Sequence, residues 1–371
     1  MNIGILIPGY AANAHDWPDP VLRRLIGGLA QQHDVRIIAL HYPHRHDHYT
    51  IDGIPVYSLG GAQARGLRRL RLWAEAQSVL SELHRQRPFD LLHAMWIDEP
   101  GYLAVRAGRR FGIPVVTSVL GGEFARIDDI GYGLQRSRLS RWLVRRGMQA
   151  NAVVSSGSTV DQGIAASRIP LESERLHRIV LGVDADAFTP GGQPQPRHLL
   201  HVGSLTPVKD QTTLLHAFAL LPPDVTLAII GQGPLRAQLE ALAAQLGVTE
   251  RVTFVGHVDH TALVGHYRRA YLHVMASRSE TIMLAVLEAA ACGVPTVGTA
   301  TGALADYPGL GVGVPVRDPQ ALADAIRALL DDRSRRDALG RNARQLAADQ
   351  LSIQTSIART LALYDRLIER R

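Results

Sequence analysis

Two glutamates, Glu280 and Glu288, bracket the apolar run Thr281-Ile282-Met283-Leu284-Ala285-Val286-Leu287. An apolar strand from Tyr271 to Met275 ends in the polar trio Ser277-Arg278-Ser279, and the pattern predicts a helix that begins near Glu280 and stops at Gly293-Val294-Pro295. Glu280 then stands at the helix mouth, with Glu288 about two turns further in and rotated by less than a quarter circle, so both carboxylates address one crevice. The first backbone N–H groups of a helix have no partner inside it and favour an anion such as a diphosphate. Carboxylates accept from hydroxyls. An anion site between two carboxylates therefore suits a sugar nucleotide. On spacing alone, two solvated glutamates on a surface helix are the favoured reading, and the rest of the chain decides.

The elements that must position these groups are short apolar runs alternating with helical patterns, the mark of parallel strands joined by crossover helices. Strands are predicted at 3–7, 35–40, 56–59, 91–93, 115–119, 152–155 and 178–180, and again at 199–202, 226–230, 252–254, 271–275 and 296–298. Helices are predicted at 212–220, 235–246 and 263–270. Between the two series lies Pro190-Gly191-Gly192-Gln193-Pro194-Gln195-Pro196, which suits neither a helix nor a central strand and reads as a linker. The expected division is a first domain over 1–190, a linker over 191–197, a second domain over 198–351 and a closing helix over 352–371. That helix carries Ile353, Ile357, Leu361, Tyr364 and Leu367 on one face. In doubly wound sheets ligands bind beyond the carboxyl ends of the strands.

A chain of 371 residues with a 46% apolar fraction supports two cores. Charged residues make up 20%, no apolar stretch nears the roughly 18 residues of a membrane span, and Met1-Asn2-Ile3-Gly4-Ile5 has no basic leader, so a cytoplasmic protein is expected. The single Cys292 excludes an internal disulfide and reads as core packing. A net charge of +6 points to anionic partners. Arginines mix with Leu and Trp at helical spacing over 65–73 and 136–146, which fits a basic helix on an anionic membrane at its inner face, though an ordinary solvated helix face carries more weight. Neither run accompanies a nucleic-acid recognition motif. The histidine-rich run His41-Tyr42-Pro43-His44-Arg45-His46-Asp47-His48 is read as a polar loop rather than a metal site.

Several segments together resemble the retaining glycosyltransferases of the GT-B fold known as family 4, over nearly the whole chain. Glu280 and Glu288 match that family's Glu-x7-Glu element. His201-Val202-Gly203-Ser204-Leu205-Thr206-Pro207-Val208-Lys209 is similar to its strand-loop element that carries an arginine and, five residues on, a lysine. Lys209 falls on the lysine, while Ser204 stands where the arginine is usual. Gly231-Gln232-Gly233 looks like the family's glycine turn, and Phe254-Val255-Gly256-His257-Val258 like the loop that meets the nucleotide base. After the first glutamate the family has glycine-phenylalanine-glycine, and this chain has Thr281-Ile282-Met283. In the first half, Phe89 to Trp96 resembles a strand ending in a histidine, His93. Ile113 to Glu123 resembles the next strand and loop, with Leu120 where a histidine is usual. The family's glycine pair after the first strand is reduced to Gly9 in Gly9-Tyr10-Ala11-Ala12-Asn13-Ala14.

The resemblance implies an α/β protein of two doubly wound Rossmann-like domains facing a central cleft, with the last helix crossing back to the first domain. It implies transfer of a hexose-type sugar, with retention, from a nucleoside diphosphate to a hydroxyl of a glycan, a glycolipid or a small molecule. Catalytic roles fall to Lys209 and Glu280. Donor contacts fall to Gly203, Ser204, Gly231, Gly233, Gly256, Val258, the N–H groups of Met283 and Leu284, and Glu288, which would hold the ribose. The acceptor side falls to His93, Gly121, Gly122 and Glu123. No cofactor or catalytic metal is expected, since lysine and helix termini take that role in the family. A scaffold with weak or lost turnover, or a phosphorylase or epimerase of the same fold, are the alternatives.

Overall fold

The computed structural model describes residues 1–13, 16, 20–62 and 64–370; Ala14 and Arg371, both part of segments named above, lie outside them. The chain forms two compact units. One comprises residues 1–156, 160–181 and 356–371, the other 157–159 and 182–355.

The first unit contains β1 (Asn2–Gly9), α1 (Pro20–Ala30), β2 (Asp34–Tyr42), β3 (His46–Ile51), β4 (Ile54–Leu59), α2 (Leu67–Gln86), β5 (Leu91–Met95), α3 (Glu99–Phe111), β6 (Val115–Ser118), α4 (Arg138–Gly147), β7 (Ala152–Ser155), α5 (Ser158–Ala166) and β8 (Leu176–Arg178). The eight strands are ordered β3-β4-β2-β1-β5-β6-β7-β8. All neighbours are parallel except β3, which pairs antiparallel with β4. The inner strands are buried on both sides, so Ile3, Ile5, Leu6 and Ile7 are all fully covered. The histidine-rich segment expected as a loop instead enters β3, where His48 stacks on Tyr57 with ring centroids 4.2 Å apart. Alternating exposure along β3 explains why its sequence looked like a loop: it is an edge strand with a polar face.

The second unit contains β9 (His198–Val202), α6 (Gln211–Ala219), β10 (Thr226–Ile230), α7 (Arg236–Gln245), β11 (Val252–Gly256), α8 (His260–Arg269), β12 (Leu272–Met275), α9 (Leu284–Ala291), β13 (Thr296–Thr299), α10 (Ala303–Asp306), β14 (Gly311–Val314), α11 (Pro319–Asp331) and α12 (Arg333–Asp349). Its sheet is parallel throughout, in the order β11-β10-β9-β12-β13-β14. The strand order reverses between β9 and β12, and a crevice opens at such a switch point. Leu214, Phe218, Leu272, Val274, Leu322 and Ile326 fill the core around it.

The division falls at Leu181/Gly182, ahead of the Pro-rich stretch where it was expected. Residues 183–190 belong to the second unit because they are bonded into it. Val183 exchanges backbone hydrogen bonds with Leu351 and Ile353, Arg344 donates to the carbonyls of Ala185 and Phe188, and Arg268 donates to Thr189 O at 2.8 Å. The last helix, α13 (Ile353–Glu369), belongs to the first unit from Ser356 onward. There Tyr364 is fully buried and bonds His93.

Candidate functional site

After β9 the chain makes a loop, a short 3-10 turn over Pro207–Lys209, and then α6. Asp210 adopts a left-handed φ of 48° and caps α6, accepting from the N–H of Thr213. Behind the loop lies a buried relay. His201 donates through Nδ1 to the carbonyl of Val274, and fully buried Gln211 donates through Nε2 to His201 Nε2 at 3.1 Å and to Ser204 O at 2.9 Å. Burial pushes the His201 pKa down to about 4, so its Nε2 is the neutral acceptor this relay needs. The loop is thereby fixed to strands β9 and β12.

Lys209 reaches Glu280, with Nζ 2.5 Å from Oε1. Their side chains are 25% and 11% exposed. The two loops are also joined through the backbone, since the N–H of Arg278 donates to Val208 O at 2.8 Å. One loop follows β9 and the other follows β12, so the pair stands at the switch point of the sheet. Glu280 is backed by Gly302, where an added Cβ would sit 3.0 Å from Glu280 Cβ.

The helix predicted to begin near Glu280 begins at Leu284. Met283 takes φ 62° and ψ 67°, a left-handed conformation that turns the loop into the helix. A glycine would adopt it without cost. The family pattern indeed has its second glycine at this position. No side chain caps α9, and among the described residues no group accepts from the backbone N–H of Leu284 or Ala285. Ile282 and Met283 are both buried, so the loop is anchored by side chains, one of them at a position where the family uses glycine.

Glu288 lies in the second turn of α9 and is buried. Its Oε1 accepts from His260 Nε2 at 2.7 Å and its Oε2 from the Tyr267 hydroxyl at 2.8 Å, both from α8. Burial and the Glu288 carboxylate raise the Tyr267 pKa well above the ordinary phenol value, so Tyr267 remains a donor. Sequence reasoning missed His260 and Tyr267. The helix expected over 263–270 begins at His260, and only with that start does their spacing of seven residues place them on one face.

The glycine motifs serve packing more than ligand approach. A Cβ on Gly231 would lie 2.0 Å from the carbonyl oxygen of Gly203, and one on Gly233 would lie 2.3 Å from that of Leu205. Gly203 donates to Ile230 O, Leu205 to Gln232 O, and Gly231 to Gly256 O. The ends of β9, β10 and β11 are thus laced together, and the close approach is of protein to protein. Exposed Ser204 has its hydroxyl 3.4 Å from Thr206 Oγ1, and Val258 lies half-buried in the loop after β11.

In the first unit, His93 is not at a strand end. It sits within β5, paired with Ile5 of β1, and both ring nitrogens are used, Nδ1 with the Tyr364 hydroxyl at 2.5 Å and Nε2 with Ser118 Oγ at 2.8 Å. Burial lowers its pKa to about 3. It joins the sheet to α13 and offers nothing to an acceptor. Glu123 also turns inward. Fully buried, it accepts from the N–H groups of Leu120 at 2.9 Å and Gly121 at 2.6 Å. Burial, reinforced by the nearby Asp98 carboxylate, pushes it up to about 7. Gly122, at φ 76°, closes the same turn. Asp98, itself pushed up to about 6 by burial, follows β5 and was not anticipated. Among the described residues no group of three or more His, Cys, Asp or Glu side chains is arranged to hold a metal ion.

Comparison with known proteins agrees with this architecture. Residues 184–346 match the family described as glycosyl transferases group 1, and residues 18–182 match the glycosyl transferase 4-like domain. A D-inositol 3-phosphate glycosyltransferase of Frankia alni is 32% identical over 277 residues, covering 67% of each chain. One from Catenulispora acidiphila is 38% identical over 221 residues, a stretch that spans 53% of either protein. Among solved structures, sucrose-phosphate synthase from Thermosynechococcus elongatus superposes with a TM-score of 0.83 over 100% of both chains at 20% identity. An Anabaena protein, HepE, in complex with UDP-glucose gives 0.73 at 19% identity, over 97% of this chain and 99% of that one. The fold is that of the GT-B glycosyltransferases. The chain belongs to the group 1 glycosyl transferases.

Proposed function

We propose that the protein transfers a hexose-type sugar from a nucleoside diphosphate to an acceptor hydroxyl with retention of anomeric configuration and without a catalytic metal. The observation that carries this is the Lys209–Glu280 pair at the β9/β12 switch point, beside the uncapped start of α9. Lys209 and the N–H groups of Leu284 and Ala285 supply positive charge where the departing diphosphate gathers negative charge. Glu280 accepts from hydroxyls of the sugar, and Glu288 from those of the ribose. The sugar C1–O bond to the β-phosphate breaks, the acceptor oxygen bonds C1 on the same face, and the acceptor proton passes to the leaving phosphate oxygen, so no enzymic nucleophile is required.

A screen of uridine, guanosine and adenosine diphosphate sugars against glycan, lipid and small polyol acceptors tests the proposal, with the product anomer assigned by NMR. An α-linked product from an α-linked donor, formed in the presence of a chelator, is expected. An inverted anomer overturns retention. Tight nucleotide binding without transfer favours the scaffold alternative, and a requirement for inorganic phosphate favours a phosphorylase.

The exposed faces of α2 and α4 favour a second reading, peripheral contact with an anionic membrane. Leu67, Leu70, Leu139 and Trp142 are 75%, 55%, 42% and 40% exposed, beside exposed Arg68, Arg71, Arg138, Arg141 and Arg145. Tyr102 of α3 touches both helices, with ring centroids 5.1 Å from Trp73 and 5.0 Å from Trp142. Apolar side chains ringed by arginine suit a negatively charged lipid surface. Among the described residues no helix is long and apolar enough to cross a membrane. Co-sedimentation with anionic but not neutral liposomes is expected, and its absence removes this contact.

A further inference from the structure

We propose that His260 is a positioning residue that makes Glu288 a reader of a vicinal diol, so that the donor's nucleoside is selected as a ribonucleoside. This rests on the donor reading given above. An ionised carboxylate has about four lone-pair acceptor sites, two on each oxygen. One donor already sits on each oxygen, His260 on Oε1 and Tyr267 on Oε2. That leaves about one site per oxygen, the pattern matched by the two hydrogens of adjacent sugar hydroxyls.

The two donors come from one helix face, since residues seven apart on α8 lie two turns apart along the same side. They hold the carboxylate from both ends, and its remaining lone pairs point in set directions. The His260 ring is itself held. It packs on Phe188 with centroids 5.0 Å apart, and Phe188 also meets Tyr267 at 5.9 Å. The segment carrying Phe188 is pinned by Arg268, which donates to Thr189 O and, at 2.6 Å, to Thr189 Oγ1. Along this chain of contacts exposure falls from 29% at the His260 side chain to 5% at that of Glu288 and none at Tyr267. The open end of this chain of contacts is at His260.

A site built to accept from two hydroxyls rejects a ligand lacking one of them, because a buried acceptor is then left unpaired. Calorimetric affinities of uridine, guanosine and adenosine diphosphates, each beside its 2′-deoxy form, test the proposal in wild type, His260→Ala and His260→Gln. Wild type should prefer the ribo form by about tenfold or more. His260→Ala should lose affinity for the ribo form while binding the 2′-deoxy form nearly as wild type does, so the preference collapses. His260→Gln, which keeps an N–H within reach of Oε1, should restore part of it. A wild type indifferent to the 2′-hydroxyl overturns the inference alone. So does a His260→Ala protein that keeps the wild-type ratio or weakens both forms equally, the signature of a merely structural role. A wild type that binds none of the diphosphates overturns the donor reading and this inference together.

Discussion

Lys209 is a quarter exposed and ends on Glu280, so the ammonium is held between the loop after β9 and the loop after β12. Removing it takes away one preorganised positive group and leaves Glu280 without its partner. Lys209→Ala should lower kcat by about 10²–10³-fold with the fold intact by circular dichroism, and near-normal turnover would exclude Lys209 from the chemistry. Met283 poses the opposite question. Its left-handed φ of 62° costs about 1–2 kcal/mol for a residue with a Cβ. Burying its side chain stabilises by about 1.5–3 kcal/mol. Met283→Gly should therefore be neutral or slightly destabilising, by up to about 2 kcal/mol in urea unfolding. A large stabilisation would mean that the Met283 side chain contributes little. Motif spacing in the sequence singled out Lys209, Glu280 and Glu288 as candidates. It concealed what each touches, because Gln211, His260 and Tyr267 act across elements.

Between elements, the lacing of β9, β10 and β11 is what sets the loop carrying Lys209. Gly231 holds φ 139°, and a methyl group there would overlap the Gly203 carbonyl, which no rotamer change can relieve because the clash is with backbone. Gly231→Ala should destabilise by more than about 2 kcal/mol and raise KM for the donor as the Gly203–Thr206 loop is displaced. A soluble variant with unchanged melting and KM would show that the loop ends are not coupled. Elements themselves were largely readable from sequence. Buried parallel strands such as β1, β7 and β10 are continuous apolar runs, and periodicity finds them. The start of α9 was misplaced because nothing in Glu280-Thr281-Ile282-Met283 marks a cap, and the loop is held by buried Ile282 and Met283 rather than by glycine or proline. β3 was missed because a polar edge strand has the composition of a loop. His93 and Glu123 were assigned outward from motif position. Both are buried, a fact set by Tyr364 of α13 and by the turn at Gly121–Gly122 rather than by their immediate neighbours.

For the molecule as a whole, composition foretold two units but not their division, since proline and glycine marked 190–196 whereas packing carried 183–190 into the second unit. The units also differ in how protons act on them. In the second unit burial lowers His201 to about 4 and His273 to about 3, against an ordinary value near 6.5, and half-buried His198 and His266 shift the same way. Such groups take up protons only on unfolding, so their contribution is complete above about pH 6.5 and is lost as pH falls toward 4. His201 and His273 act in the same direction, so their pH dependences add. In the first unit His93 acts likewise, with smaller help from His33 and His177. There the trend is opposed by Glu123 and Asp98, which are raised to about 7 and about 6 and so hold protons when folded that they release on unfolding. Their contribution is complete below about pH 4 and is lost as pH rises through 6 to 7. Acidification from 6.5 to 4.5 should therefore weaken the second unit well ahead of the first. All four tryptophans, Trp17, Trp73, Trp96 and Trp142, precede residue 156, so tryptophan fluorescence reports the first unit alone while far-ultraviolet circular dichroism reports both. In urea at pH 5 the dichroism should begin to fall at lower denaturant than the fluorescence, and at pH 7.5 the gap should narrow. Glu123→Gln removes one opposing proton from the first unit, so its fluorescence midpoint should drop more steeply than that of wild type between pH 6.5 and 5. Parallel midpoints for the two proteins would mean that Glu123 does not hold its proton in the folded state.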